Sequence, residues 1–66
     1  MDTQPASNPP GKLKIIDAMR TLLDDRTFES LTISEIAASA GVTEGLIYKY
    51  FKDKRDLLHH VLKEHY

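Results

Sequence analysis

Two helix-start signals, at Thr32 and Thr43, stand eleven residues apart with Gly41 between them, which leaves room for little except two short helices joined by a tight turn. Thr32-Ile33-Ser34-Glu35 spells a capping box: the Thr hydroxyl serves the amide of the third helical residue, and the Glu carboxylate reaches back to the cap. The helix it opens runs from Ile33 to about Ala40. It ends where Gly41 supplies a left-handed residue at little cost. Thr43 then caps a further helix that runs to about Phe51. A connection this short, with Gly at its start, sets two helices at a steep angle instead of antiparallel.

The rest of the chain after Gly11 is also helical in pattern, with no alternating apolar stretch long enough for a strand. The first helix is expected from about Lys12 to Arg26, with Ile15, Ile16, Met19, Leu22 and Leu23 on one face. Thr27 to Leu31 is a connection whose Phe28 and Leu31 can plug the core. Asp53 caps the last helix, with Asp56 three residues on, and Leu57, Leu58, Val61 and Leu62 form its stripe. That stripe is still apolar where the given sequence stops at Tyr66. Residues 1–11, MDTQPASNPPG, read as a flexible tail, with Pro9-Pro10-Gly11 barring a helix from running back through it. The expected fold is all-α: a three-helix core carrying a helix-turn-helix over about residues 33–52, plus the start of a fourth helix, homeodomain-like in class. The folded unit is expected over residues 12–66.

Sixty-six residues allow one domain, and the absence of cysteine excludes a disulfide framework or a Cys-ligated zinc site. The core must therefore form by packing alone. No apolar run approaches the roughly 18 residues that span a bilayer, and the N-terminus lacks the basic and apolar regions of a secretory signal. A cytoplasmic protein with no membrane partner is expected. The net charge of −1 argues against bulk electrostatic binding to nucleic acid but leaves local patches open.

The third helix carries such a patch. At about 100° per residue, Ile47 and Phe51 point together into the core. Lys49 lies opposite, flanked by Gly45 and Lys52, with Leu46 and Tyr48 on the shoulders. Small Ala37, four residues before Gly41, lets this helix sit close, and Ile47 locks it from beneath. Such an arrangement suits a helix-turn-helix, whose second helix enters the DNA major groove. Gly45 lets the backbone approach a duplex, Tyr48 offers a ring and a hydroxyl, and lysines meet phosphates or guanine edges. Residues 49–55 hold Lys49, Lys52, Lys54 and Arg55 against Asp53 alone, a local +3, whereas residues 1–48 sum to −3. Lys12 and Lys14, at the start of the first helix, are second-tier candidates for phosphate.

GVTEGLIYKYFKDKRDLL, preceded by LTISEIAASA, resembles the N-terminal DNA-binding domain of TetR-type transcriptional regulators. The resemblance rests on Ile36-Ala37, Ala40-Gly41-Val42, Gly45, Tyr48-Lys49-Tyr50-Phe51, Lys54 and Leu57-Leu58, and extends from about Lys12 to Leu62. It implies sequence-specific binding of double-stranded DNA by a regulator, a repressor in the first instance, at the nucleoid of a bacterial cytoplasm. It further implies that Thr43, Tyr50 and Lys54 hold phosphates, that Glu44, Gly45, Tyr48 and Lys49 lie against bases, and that Thr32 and Ser34 touch the backbone from the other side. Thr27 departs from the Gly that often ends the first helix in this family. Glu44 is acidic where basic or neutral residues are frequent; it either accepts from a cytosine amino group or stabilises the helix start. The family also carries a larger helical domain for dimerisation and ligand sensing. The implied partner is a palindromic operator read by a homodimer of a longer parent, with this chain as a monomer on one half-site.

Other chemistries find little support in the sequence. His59, His60 and His65 lie at offsets that do not share a helix face, so no metal site is expected. No Ser or Thr stands beside a His base in a spacing that serves catalysis, so neither an enzyme nor a cofactor is expected. The alternative is a small protein-interaction module docking through the apolar face of its last helix. Lysines and Arg55 clustered beside two tyrosines favour the DNA reader.

Overall fold

The computed structural model describes residues 10–65, with side chains over residues 11–63. Helix α1 spans Pro10–Leu22, α2 Ile33–Ala40, α3 Glu44–Tyr50 and α4 Lys54–His65, with no strand among the described residues. The tail expected over residues 1–11 lies outside the described residues as far as residue 9. Its last two residues belong to α1. Pro10 opens that helix because the first helical position needs no amide donor and suits the fixed φ of proline.

At its other end α1 closes four residues before the expected Arg26. The chain tightens there through bonds from Asp24 N to Thr21 O and from Asp25 N to Leu22 O, both 3.1 Å. No residue other than glycine has a positive φ among those described, so Thr27 does not supply the left-handed stop that a Gly would. Instead Thr27 organises the next turn. Its Oγ1 accepts from Ser30 N at 3.2 Å, and its carbonyl accepts from Ser30 Oγ at 3.0 Å.

The capping box at α2 is formed as the sequence indicates: Glu35 N donates to Thr32 Oγ1, and Thr32 N donates to Glu35 Oε1, each at 3.1 Å. Gly41 sits at φ 73° and ψ 33°. The amide of Val42 returns to Ala37 O at 3.0 Å, which closes the helix end and turns the chain at once toward Thr43. Thr43 Oγ1 accepts from Leu46 N at 3.1 Å and starts α3. That helix ends at Tyr50, and Phe51 is already extended at φ −134° and ψ 141°. Before α4, Asp53 Oδ1 accepts from Asp56 N and Asp56 Oδ2 accepts from Lys52 N, both at 2.8 Å.

One core joins all four helices. Ile15, Ile16, Ala18 and Met19 of α1 meet Leu31, Ile36, Ala37, Ile47, Phe51, Leu57 and Val61, all buried. Helix α1 packs against each of the other three, and α2 packs against α3. The N-terminal end of α1 also abuts α3: a Cβ at Gly11 would stand 3.1 Å from Leu46 Cδ2. Leu22, Leu23, Phe28 and Leu58 reach the core only in part, and Leu62, expected in the stripe of α4, is 45% exposed.

Candidate nucleic-acid interface

The exposed side of α3 is built by its buried side. Ile47 is fully buried and Phe51 nearly so, which pins the rotation of the helix about its axis. With that rotation set, Glu44, Gly45, Tyr48 and Lys49 form one contiguous outward strip, because positions three and four apart lie on the same face. Tyr48 is 55% exposed, a large ring left in solvent. The space above Gly45 is open: a Cβ there would have Thr43 Oγ1 as its nearest neighbour, at 3.8 Å. Seven residues at a rise of about 1.5 Å make a helix of roughly 10 Å, one residue short of the expected end at Phe51 and still matched to a groove about 12 Å wide.

Of the remaining candidates, Thr32, Ser34 and Thr43 are exposed at helix starts, where two of the three already cap. Thr43 Oγ1 accepts from the helix and retains its own hydrogen to donate, whereas Thr32 Oγ1 also donates to Glu35 Oε1 at 3.4 Å. Tyr50 is half-buried, with its ring edge-on to Phe51 at 6.4 Å, so it flanks the strip instead of belonging to it. Lys12 is half-buried and Lys14 exposed on the part of α1 that lies beside Leu46. Lys52 and Arg55 are exposed between α3 and the first turn of α4, completing the basic cluster seen in the sequence.

Lys54 behaves differently from the other lysines. Its Nζ donates to Phe28 O and to Leu31 O, each at 2.8 Å, and lies 4.4 Å from the centroid of the Phe28 ring. Two of its three N–H donors are therefore held by the connection between α1 and α2. The residues that receive it lie 26 and 23 positions away, and no spacing in the sequence announces the pairing.

The same connection carries a second anchor. Arg26 Nη1 and Nη2 donate to Glu35 Oε2 and Oε1 at 2.9 and 3.0 Å, and Nη2 also reaches Ser30 O at 3.0 Å. The hydrogen bond from Arg26 is the main cause that holds the Glu35 carboxyl below the usual carboxylate range, with the Thr32 amide adding to it and desolvation opposing it. Neither Arg26 nor Glu35 belongs to the expected DNA-contacting set.

The family model for bacterial regulatory proteins of the tetR family matches residues 15–61. The chain belongs to that family. It is 40% identical over 55 residues to the fatty acid metabolism regulator protein of Bacillus subtilis, covering 83% of this chain and 28% of that protein. It is 39% identical over 51 residues to the HTH-type transcriptional regulator BetI of Cronobacter sakazakii, covering 77% and 25%. A third relative, the HTH-type transcriptional repressor KstR2 of Mycolicibacterium smegmatis, is 32% identical over 62 residues, covering 94% and 29%. The chain thus spans less than a third of the length of each of these relatives. No solved structure matches. No helix among the described residues is long and apolar enough to cross a membrane.

Proposed function

We propose that this tetR-family domain binds double-stranded DNA sequence-specifically and serves as the reading head of a transcriptional repressor in the bacterial cytoplasm. The observation that carries the reading is the outward strip Glu44-Gly45-Tyr48-Lys49, exposed on a helix whose opposite side is locked into the core. Helix α3 lies in the major groove with this strip against base edges. Thr43 and Tyr50 meet phosphates beside it, Thr32 and Ser34 meet the backbone at the start of α2, and Lys52 and Arg55 extend the positive surface. Lys54 supports that surface through the turn it holds. In the longer parent, two copies read the halves of a palindrome, whereas this chain alone is a monomer on one half-site. The reading assigns it no enzymatic step and no cofactor.

Fluorescence anisotropy with random and selected duplexes at several salt concentrations tests this. Binding whose log–log salt slope is about −3 to −4 is expected for a head whose Lys52 and Arg55, with Lys12 and Lys14 at the start of α1, neutralise three or four phosphates. Absence of binding at low salt, by this chain and by an artificially dimerised one alike, would overturn the reading in favour of a protein-interaction module.

A further inference from the structure

The peptide unit between Leu31 and Thr32 is gripped from both ends. Its carbonyl accepts from Lys54 Nζ at 2.8 Å, and its N–H donates to Glu35 Oε1 at 3.1 Å. Leu31, on one side of this unit, is buried to 1%, and Thr32, on the other, is the exposed N-cap of α2. Glu35 is itself held by both terminal nitrogens of Arg26. A continuous polar chain thus runs from the first residue of α4, through a single peptide plane, to the first turn of α2 and to Arg26 in the connection that follows α1. The Phe28 ring, 4.4 Å from Nζ, adds a cation–π contact to the same ammonium.

We infer that Lys54 is a positioning residue of the DNA interface: by fixing the Leu31–Thr32 peptide it sets Thr32 and Ser34 at the height where the start of α2 meets the nucleic-acid backbone. The role in binding rests on the DNA-reading function proposed above; the clamp itself rests on the geometry. A peptide plane with both polar groups occupied cannot rotate without breaking two charge-assisted hydrogen bonds. Rotation of that plane would swing the Thr32 side chain and loosen the first turn of the helix that carries Ser34. The ammonium is the right group for this task, because one nitrogen must serve two carbonyls at once, and its donors rotate freely to find both. A lysine used in this way has two of its three donors turned into the fold, so its loss acts on binding through the placement of α2.

That distinction gives the test. Lys54→Met keeps an unbranched stem one atom shorter and removes the charge; Lys52→Met does the same at an exposed lysine beside the strip. Affinity for one selected duplex is measured across salt concentrations, at a temperature where circular dichroism shows every variant folded, and amide exchange of Thr32 is followed by NMR in the free chain. Lys54→Met is expected to weaken binding roughly tenfold with a nearly parallel salt dependence and faster exchange at Thr32. Lys52→Met is expected to flatten the salt slope by about 0.9, as loss of one phosphate-neutralising charge requires. A slope flattened by about 0.9 in Lys54→Met, with Thr32 exchange unchanged, would overturn the inference and make Lys54 a direct phosphate ligand. Should the Met variant not fold, Lys54→Arg replaces it. A phosphate ligand would keep its affinity in that variant, whereas the clamp predicts weaker binding at an unchanged slope and faster Thr32 exchange. A wild-type chain with no salt-dependent binding overturns the DNA reading itself, and the positioning role with it.

Discussion

Arg26 and Glu35 form a two-pronged ion pair across nine residues, with both guanidinium termini on both carboxylate oxygens at 2.9 and 3.0 Å. The carboxylate has a second task, since its Oε1 also accepts the amide of Thr32 and completes the capping box. One side chain therefore joins the connection after α1 to the start of α2, and its charge state controls both contacts.

Stability should consequently fall in acid through Glu35. Its carboxyl lies below the usual range in the folded chain, chiefly through the hydrogen bond from Arg26. A depressed folded value means that the unfolded chain takes up a proton first. The contribution is therefore complete above the ordinary Glu range near pH 4.3 and is lost as pH falls through the folded value. Glu35→Gln should lower the urea midpoint at pH 7 and flatten the pH dependence between about pH 5 and pH 3. Urea titrations across that window check it, and parallel curves for the two proteins would refute the assignment. Both side chains are well exposed, at 36% and 40%, so the pair is screened and the effect should shrink in high salt.

Gly45→Ala should separate folding from binding. The space above Gly45 is open and the residue lies in a helix with an ordinary negative φ, so alanine should stabilise the free chain by about 0.5–1 kcal/mol. In the proposed complex the same methyl stands between the α3 backbone and the base edges. Thermal unfolding should therefore show a higher midpoint while anisotropy shows weaker DNA binding. A variant that gains stability and keeps full affinity would remove Gly45 from the interface.

Tyr48→Ala and Lys49→Ala should leave the fold intact, because both side chains are exposed on a helix fixed by Ile47. Their losses should fall on discrimination: roughly 1–3 kcal/mol less separation between the selected half-site and random duplex for a base-reading side chain. Competition binding with both duplexes measures this. Equal loss on the two would assign these residues to phosphate contacts instead.

Local chemistry made much of this architecture legible in advance. Thr32, Glu35, Gly41 and Thr43 act within three or four residues of themselves, so their types alone located the two short helices and the turn between them. Ile47 and Phe51 follow helical periodicity, and their burial settled which side of α3 faces out. The ends of α1 were less legible. Pro10 can either stop a helix or open one, and the end of α1 is closed by bonds from Asp24 N to Thr21 O and from Asp25 N to Leu22 O that no residue type announces. Lys54 shows the limit most clearly. As a basic residue in a positive cluster it suggests phosphate, and only the folding of Phe28 and Leu31 against the start of α4 places two carbonyls within 2.8 Å of its ammonium.

Gly41 offers a final prediction in which backbone conformation can be isolated from packing. Its φ of 73° lies in the left-handed region, yet a Cβ placed there would meet no atom within 4 Å. Any loss on substitution must therefore come from the backbone and not from a clash. Gly41→Ala should cost about 1–2 kcal/mol, because an L side chain crowds the following carbonyl in this conformation. Gly41→Asn should cost less, since its short amide can hydrogen-bond locally in the left-handed region. Chemical denaturation of the three proteins checks the order Gly, Asn, Ala. A reversed order of Asn and Ala would mean that the turn relaxes out of the left-handed region when substituted. The angle between α2 and α3 would then change, and DNA affinity would fall with it even where both helices remain formed.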